Sequence, residues 1–183
     1  MTLSQRVAEA FAAVPRAHHL PPAARRRADD DGPLSIGFGQ TNSQPRTVAA
    51  MLELLDVRAG QHVLDVGSGS GWTTALLAHL VGPEGSVIGV EIVPELVDFG
   101  RSCLPAGAPA RIEQARAGVL GWPAEAPYDR ILVSAEAREL PAELVDQLVP
   151  DGRMVIPVAG TMCSVEPGPV VCEHGAYRFV PLL

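Results

Sequence analysis

Apolar positions along this chain fall into two alternating rhythms. Leu3, Val7, Ala10, Phe11 and Val14 recur at steps of three and four, the face of a helix, and Thr2 with Gln5 three places on has the make-up of a capping box. Pro15 stops that helix. Behind Pro45, whose fixed φ suits a first helical turn, Val48, Met51, Leu52 and Leu55 repeat the pattern. Short continuous runs then take over, as in strands buried on both faces: Val63, Leu64 and Val66; Ser86 to Glu91; a short one near Ile112; Arg130 to Ser134; and Met154 to Val158. Helical spacing returns between them, at Ala75, Leu76, Leu77 and Leu80, at Leu96, Val97 and Phe99 behind Pro94, and from Glu143 to Val149 before Pro150-Asp151-Gly152. Strands alternating with helices predict an α/β fold, a mostly parallel central sheet with helices on both faces. The tail, where Gly160, Gly168 and Gly175 separate short β-rich runs, predicts an antiparallel C-terminal edge.

The stretch that organises this pattern is His62-Val63-Leu64-Asp65-Val66-Gly67-Ser68-Gly69-Ser70-Gly71, a strand that runs into alternating glycines and then a helix. Glycines there let the backbone turn sharply and bring bare N–H groups close to a ligand, as α/β sheets do with nucleotide-like molecules. Spacing narrows the ligand. A dinucleotide fingerprint, Gly-x-Gly-x-x-Gly, fails because its last place falls on Trp72 from Gly67 and on Thr74 from Gly69. A Walker phosphate loop fails for want of a lysine, since all 14 basic residues are arginine. What remains is Asp-x-Gly-x-Gly-x-Gly, in which Asp65 offers a carboxylate suited to an amino acid's ammonium group. This stretch resembles the first motif of the S-adenosyl-L-methionine (AdoMet) methyltransferases. Glu91, about 20 residues beyond the glycines, stands where a carboxylate can take both ribose hydroxyls. Against these stand plainer readings, a glycine turn without a ligand and an ordinary surface acid.

Composition acts by exclusion. At 183 residues and 47% hydrophobic content, the chain fits one domain: a helical segment and substrate-side loop over 1–55, a cofactor core over 56–160 and a β edge over 161–183. A net charge of -7 gives no attraction for nucleic acid or an anionic membrane. Cys103, Cys163 and Cys172 are odd in number and widely spaced, which argues against a disulfide framework or zinc site and for a reducing cytoplasm. No run suits a secretory leader or a membrane span. His18-His19 lacks further ligands at metal spacing, and Arg25 to Arg27 with Asp29 to Asp31 reads as a self-compensating surface turn. Ile36 to Pro45 is flexible at its glycines and rich in polar donors; Ser43 there is either a helix cap or part of an anion site at a helix start.

Together these segments resemble the protein-L-isoaspartate O-methyltransferase family nearly end to end. Val14-Pro15-Arg16 with Leu20-Pro21 resembles its opening, and Gly39-Gln40-Thr41-Asn42-Ser43-Gln44-Pro45 its signature loop. Leu120-Gly121-Trp122-Pro123, Ala126 to Ile131, Gln147 to Arg153 with Val155 to Val158, and Arg178-Phe179-Val180-Pro181-Leu182 follow its second half. The resemblance implies a Rossmann-like AdoMet methyltransferase fold, Ser43 as the catalytic residue, and substrate contacts from Thr41, Asn42 and Ser43. It implies cofactor contacts from Asp65, Gly67, Ser68, Gly69, Gly71, Glu91 and Ala117, no metal, and isoaspartyl proteins or peptides as partners, with a monomer favoured. The implied reaction methylates the isoaspartyl carboxylate, which is already anionic and needs no general base. The chain departs from the family at Asn42, where isoleucine is usual; at Arg116-Ala117-Gly118, where Gly-Asp-Gly is usual; and near Glu136 and Arg138, where alanine and proline are usual. The region after Val158 is also short. In the family the acid aligned with Ala117 is expected to accept from the adenine amino group. Asn42 adds a polar group to the acceptor side, so two rivals stay open: an AdoMet enzyme for another carboxyl or hydroxyl acceptor, and a non-catalytic AdoMet-binding protein.

Overall fold

The computed structural model describes residues 2–168 and 170–182. Helix α1 (Leu3–Ala13) opens on a complete capping box: Gln5 N donates to Thr2 Oγ1 at 3.2 Å and Thr2 N to Gln5 Oε1 at 2.7 Å. After two short 3-10 turns comes a hairpin of β1 (Leu34–Gly37) and β2 (Gln40–Asn42), then α2 (Pro45–Leu55). The core follows as β3 (His62–Val66), α3 (Trp72–Val81), β4 (Ser86–Glu91), α4 (Pro94–Cys103), β5 (Ala110–Gln114), β6 (Tyr128–Val133), α5 (Ala142–Val145) and β7 (Leu148–Val158). Strands β8 (Thr161–Glu166) and β9 (Val170–Ala176) complete a seven-stranded sheet in the order β5-β4-β3-β6-β7-β8-β9. Strands β3 to β7 pair in parallel, and β8 and β9 add antiparallel pairings at the edge. The chain steps outward one way from β3 and the other way from β6. That reversal leaves a crevice beyond the carboxyl ends of β3 and β6, where open α/β sheets take their ligands.

Strand alternation divides the core. Val63, Val87, Leu132 and Val155 face α1, α2 and α3. Leu64, Ile88, Ile131 and Met154 face the other way, toward Leu144 of α5 and toward Leu120, Trp122 and Leu182. Helices therefore lie on both faces, but the second has only a four-residue α-helix, a 3-10 turn and loop backbone.

Two sequence expectations are corrected. The helix read over Glu143 to Val149 is only Ala142–Val145, because strand pairing begins early: Tyr128 N donates to Gln147 O at 2.7 Å and Leu148 pairs with Tyr128. Two steps along β6 then match five along β7, so Pro150-Asp151-Gly152 is a bulge inside β7 and not a helix stop. The segment read as a flexible loop at Ile36 to Pro45 is instead a β-hairpin, with its turn at Gly37, Phe38 and Gly39, all at positive φ.

Arg16 fixes that hairpin. Its buried guanidinium donates to Asn42 Oδ1 at 2.6 Å and to the carbonyls of Ala28, Asp30, Gly32, Asn42 and Ser43 at 2.8 to 3.3 Å. Burial pulls its pKa below the ordinary arginine value, while Asp30 and Asp31 push it back up. Arg16→Met strands these carbonyls in a dry site, and unfolding in urea should show a loss of about 3 kcal/mol or more. Arg16→Lys, with three donors on one point, should recover only part of it. Wild-type stability in both variants would show that water replaces the guanidinium at no cost.

Candidate active site

The carboxyl ends of the parallel strands open into a cavity of about 550 Å³, within the range that holds cofactor-sized ligands. Its walls come from stretches far apart in sequence: the hairpin and Ser43, the glycine loop, Val90 to Ile92, the loop from Ala115 to Gly121, Ser134 and Ala135 past the end of β6, Glu143, and the tail Val180-Pro181-Leu182.

In the glycine loop, Gly67, Gly69 and Gly71 have φ of +77°, +52° and +77°. Only Gly67 and Gly69 line the cavity. Gly71 caps α3 and faces away, where a Cβ would stand 2.9 Å from Ile112 Cδ1 and 3.2 Å from Gly100 O, so its smallness serves the packing of α4 against the loop. The expectation of bare N–H groups is also corrected. Gly67 N and Ser68 N both donate to Val90 O, Gly71 N to Ser68 O, and Gly69 N to Glu91 Oε2 at 2.9 Å. The loop brings backbone close to a ligand while keeping most of its own donors engaged.

Asp65 does not line the cavity, which corrects its assignment to an ammonium group. Its carboxylate is fully buried beneath the loop, where Oδ2 accepts from Thr73 Oγ1 and Thr74 Oγ1, each at 2.7 Å, and Oδ1 has no partner. Burial pushes its pKa up to about 6, with the threonine hydroxyls opposing and Glu91 adding slightly. Glu91 does reach the cavity, its Oε1 held by Ile92 N and Val93 N at 2.8 and 2.9 Å. Those bonds fix its carboxylate and leave lone pairs for a ligand's hydroxyls.

On the opposite wall Thr41 and Ser43 line the cavity. The cap of α2 is Gln44, with no side-chain hydrogen bond, so the reading of Ser43 as a helix cap is corrected. Among the described residues nothing pairs with the Ser43 hydroxyl, while its carbonyl is tied to Arg16. Asn42 is buried, with Oδ1 taken by Arg16 and Nδ2 donating to Ser70 Oγ at 3.2 Å. Its amide braces the hairpin against the glycine loop, and the expectation of an added polar group facing the acceptor is corrected.

Arg116, Ala117 and Gly118 line the far wall. The Arg116 guanidinium lies 5.4 Å from the centre of the Trp122 ring, a cation–π pair. Gln147 anchors this loop, accepting from Trp122 N at 2.9 Å and donating to Leu120 O at 2.9 Å. Of the sequence-assigned residues, Thr41, Asn42, Ser43, Gly67, Ser68, Gly69, Glu91 and Ala117 share one cavity; Asp65 and Gly71 support it from behind. His19 is buried, its Nδ1 at 3.2 Å from Ser70 O, and among the described residues no group of three or more His, Cys, Asp or Glu gathers as a metal site.

The description Protein-L-isoaspartate(D-aspartate) O-methyltransferase belongs to the family model that matches residues 1–166. The chain belongs to this family. A protein-L-isoaspartate O-methyltransferase of Methanopyrus kandleri is 47% identical over 98% of this chain and 84% of its own, and a second, from Archaeoglobus fulgidus, is 43% identical over 100% and 87%. A putative family member from Plasmodium falciparum, solved with S-adenosyl-L-homocysteine, superposes with a TM-score of 0.86 at 27% identity, covering 97% of this chain and 90% of its own.

Sequence reasoning missed Ser134, Gln147 and the role of the tail. Ser134 carried a legible signal, a hydroxyl just past the end of an apolar parallel strand. The tail carried none: it reaches the site through Glu136 N donating to Val180 O at 2.7 Å and Leu182 N to Glu136 O at 2.8 Å, a pairing across some forty residues of chain.

Because folding raises the Asp65 pKa from about 3.9 to about 6, the folded state holds the extra proton. Its stabilising effect is complete below pH ~4 and is lost as pH rises through ~6, at a cost of about 3 kcal/mol. Asp65→Asn should therefore gain stability relative to the wild type across that window and run parallel to it above. Denaturant titrations at pH 4.5 and 7.5 measure this, and a constant difference would mean that Asp65 ionises normally.

Proposed function

We propose that this chain transfers the methyl group of AdoMet to the carboxylate of isoaspartyl residues in proteins or peptides. The observation that carries the reading is one cavity in which the glycine loop and Glu91 face the unpaired hydroxyl of Ser43, supported by the chain's membership of the family. The residues present fit AdoMet: the Ser68 hydroxyl is buried without a partner beside Glu91 in the cavity wall, and Gly67 and Gly69 leave room for close approach. Gly67, Ser68, Gly69, Glu91 and Ala117 would hold it, with Asp65 and Gly71 fixing the loop. Bound AdoMet supplies a sulfonium-activated methyl for in-line displacement.

The protein's share is orientation and exclusion of water. A carboxylate acceptor is anionic at neutral pH, and no histidine is among the described residues that line the cavity, in keeping with a reaction that removes no proton. Ser43 orients the acceptor by donating its hydroxyl to one carboxylate oxygen. The ester formed is open to attack by the adjacent backbone nitrogen, which displaces methanol and closes a succinimide; hydrolysis of that ring returns part of the residue to aspartate. The proposed setting is the reducing cytoplasm, supported by three cysteines that stand free. A different small acceptor loses its main support, since the Asn42 amide is engaged inside the protein.

Radiolabelled methyl transfer to an isoaspartyl peptide, with the matching aspartyl peptide as control, tests the reading; equal labelling of both, or none, would overturn it. Ser43→Ala should lower the rate roughly tenfold to a hundredfold, the effect of one hydrogen bond of about 1.5 to 3 kcal/mol to a charged group, while AdoMet affinity by calorimetry stays the same. A wild-type rate in that variant would remove Ser43 from the mechanism.

A further inference from the structure

Three buried polar side-chain atoms have no hydrogen-bond partner among the described residues: Asp65 Oδ1, Ser68 Oγ and Ser134 Oγ. A buried hydroxyl without a partner is rare enough to call for a ligand. Asp65 lies behind the cavity, but both serines belong to its wall. They stand on opposite sides of β3. Ser68 turns toward β4, its Cβ 3.0 Å from where a Cβ on Gly89 would be, so it shares the crevice of Glu91. Ser134 follows β6 across the switch point, its N–H donating to Val66 O at 2.8 Å. Two and three residues on, Glu136 and Ala137 pair with the tail and with β7, so the backbone that carries Ser134 is held on both sides. On the reading above, the cofactor takes the Glu91 side and the acceptor the other.

We propose that Ser134 is an acceptor-binding residue, its hydroxyl donating to the isoaspartyl carboxylate as the counterpart of Ser43. This rests on the methyl-transfer reading. A carboxylate has two oxygens, and a single donor leaves it free to pivot; a second donor on rigid backbone fixes the plane of the nucleophile before the methyl moves. Ser43 comes from the hairpin wall and Ser134 from the sheet floor, so the two approach the carboxylate from separate directions. Both are neutral, which holds the anion without withdrawing the charge it needs as a nucleophile.

The test is calorimetric titration of an isoaspartyl peptide into protein saturated with S-adenosyl-L-homocysteine, where no turnover occurs, together with methyl-transfer kinetics. Ser134→Ala should weaken peptide binding about tenfold and raise KM to match, with S-adenosyl-L-homocysteine affinity held within about twofold. Ser134→Thr, which keeps the hydroxyl, should restore most of the peptide affinity. Unchanged peptide affinity in Ser134→Ala overturns the inference, as does a loss that falls on S-adenosyl-L-homocysteine instead. Wild-type protein measured beside an aspartyl control separates the two levels: if it does not prefer the isoaspartyl peptide, the methyl-transfer reading fails and the inference with it.

Discussion

A buried arginine that forms no ion pair among the described residues holds the hairpin wall of the cavity together. Arg16 satisfies its guanidinium almost wholly with backbone carbonyls, from two stretches of chain, 28–32 and 42–43. Five donors in a rigid plane can do this, and a lysine cannot. The same guanidinium stacks 5.4 Å from the ring centre of Trp72, the first residue of α3, whose Nε1 donates to Val14 O at 3.1 Å. One side chain thus locks the N-terminal segment, the hairpin and the start of the helix behind the glycine loop into a single arrangement. The Ser43 hydroxyl depends on it, because the carbonyl of that residue is one of the groups Arg16 holds. The orienting role proposed for Ser43 needs such support, since small displacements of a positioning group are costly in rate.

The glycine loop obeys a similar economy. Its N–H groups are largely engaged by Val90, Ser68 and Glu91, and the buried Asp65 draws Thr73 and Thr74 down to fix the first turn of α3. Polar groups left free in the wall are few: remaining lone pairs of the Glu91 carboxylate and the hydroxyls of Ser43, Ser68 and Ser134. Holding a buried, half-satisfied carboxylate beneath a binding loop costs stability, as its pKa of about 6 reports.

Local signals made much of this legible in the sequence. Continuous apolar runs marked the parallel strands, the capping box marked α1, and failed dinucleotide spacing beside the carboxylates of Asp65 and Glu91 pointed to the ligand class, although Asp65 lies outside the cavity lining. Errors came where long-range pairing overrode local preference. Leu144, Val145, Leu148 and Val149 fit a helix by spacing, but the backbone of Tyr128 claims Gln147 and Leu148 for a strand. Asp65 and Gly71 sit in the motif at the expected spacing, yet which way each faces is set by α3 and α4 and not by the motif. The tail and Ser134 enter the site through tertiary contacts that no period in the sequence encodes.

The departures from the family pattern take on meaning from the same contacts. At 42 the usual isoleucine could fill space but could not bridge; asparagine joins Arg16 to Ser70, so the change adds a polar strut between hairpin and glycine loop without altering the face shown to an acceptor. At 116–118 the usual acid is replaced by the methyl of Ala117, while Arg116 is drawn to the indole of Trp122. The backbone behind that indole is fixed, because Trp122 N donates to Gln147 and Trp122 O accepts from Tyr128 Oη at 2.6 Å, and the indole Nε1 donates to Glu125 Oε1 at 3.3 Å. With the guanidinium at the indole, the side chain at 117 is a bare methyl where the family resemblance implies a carboxylate. On the proposed reading, adenine is held on this wall by shape and apolar contact, with Val119 and Ile92 exposed to provide them. On the same reading, Glu91 offers the ribose end a polar contact. The two departures therefore act on different properties, one on the rigidity of the acceptor wall and the other on how the adenine end is held.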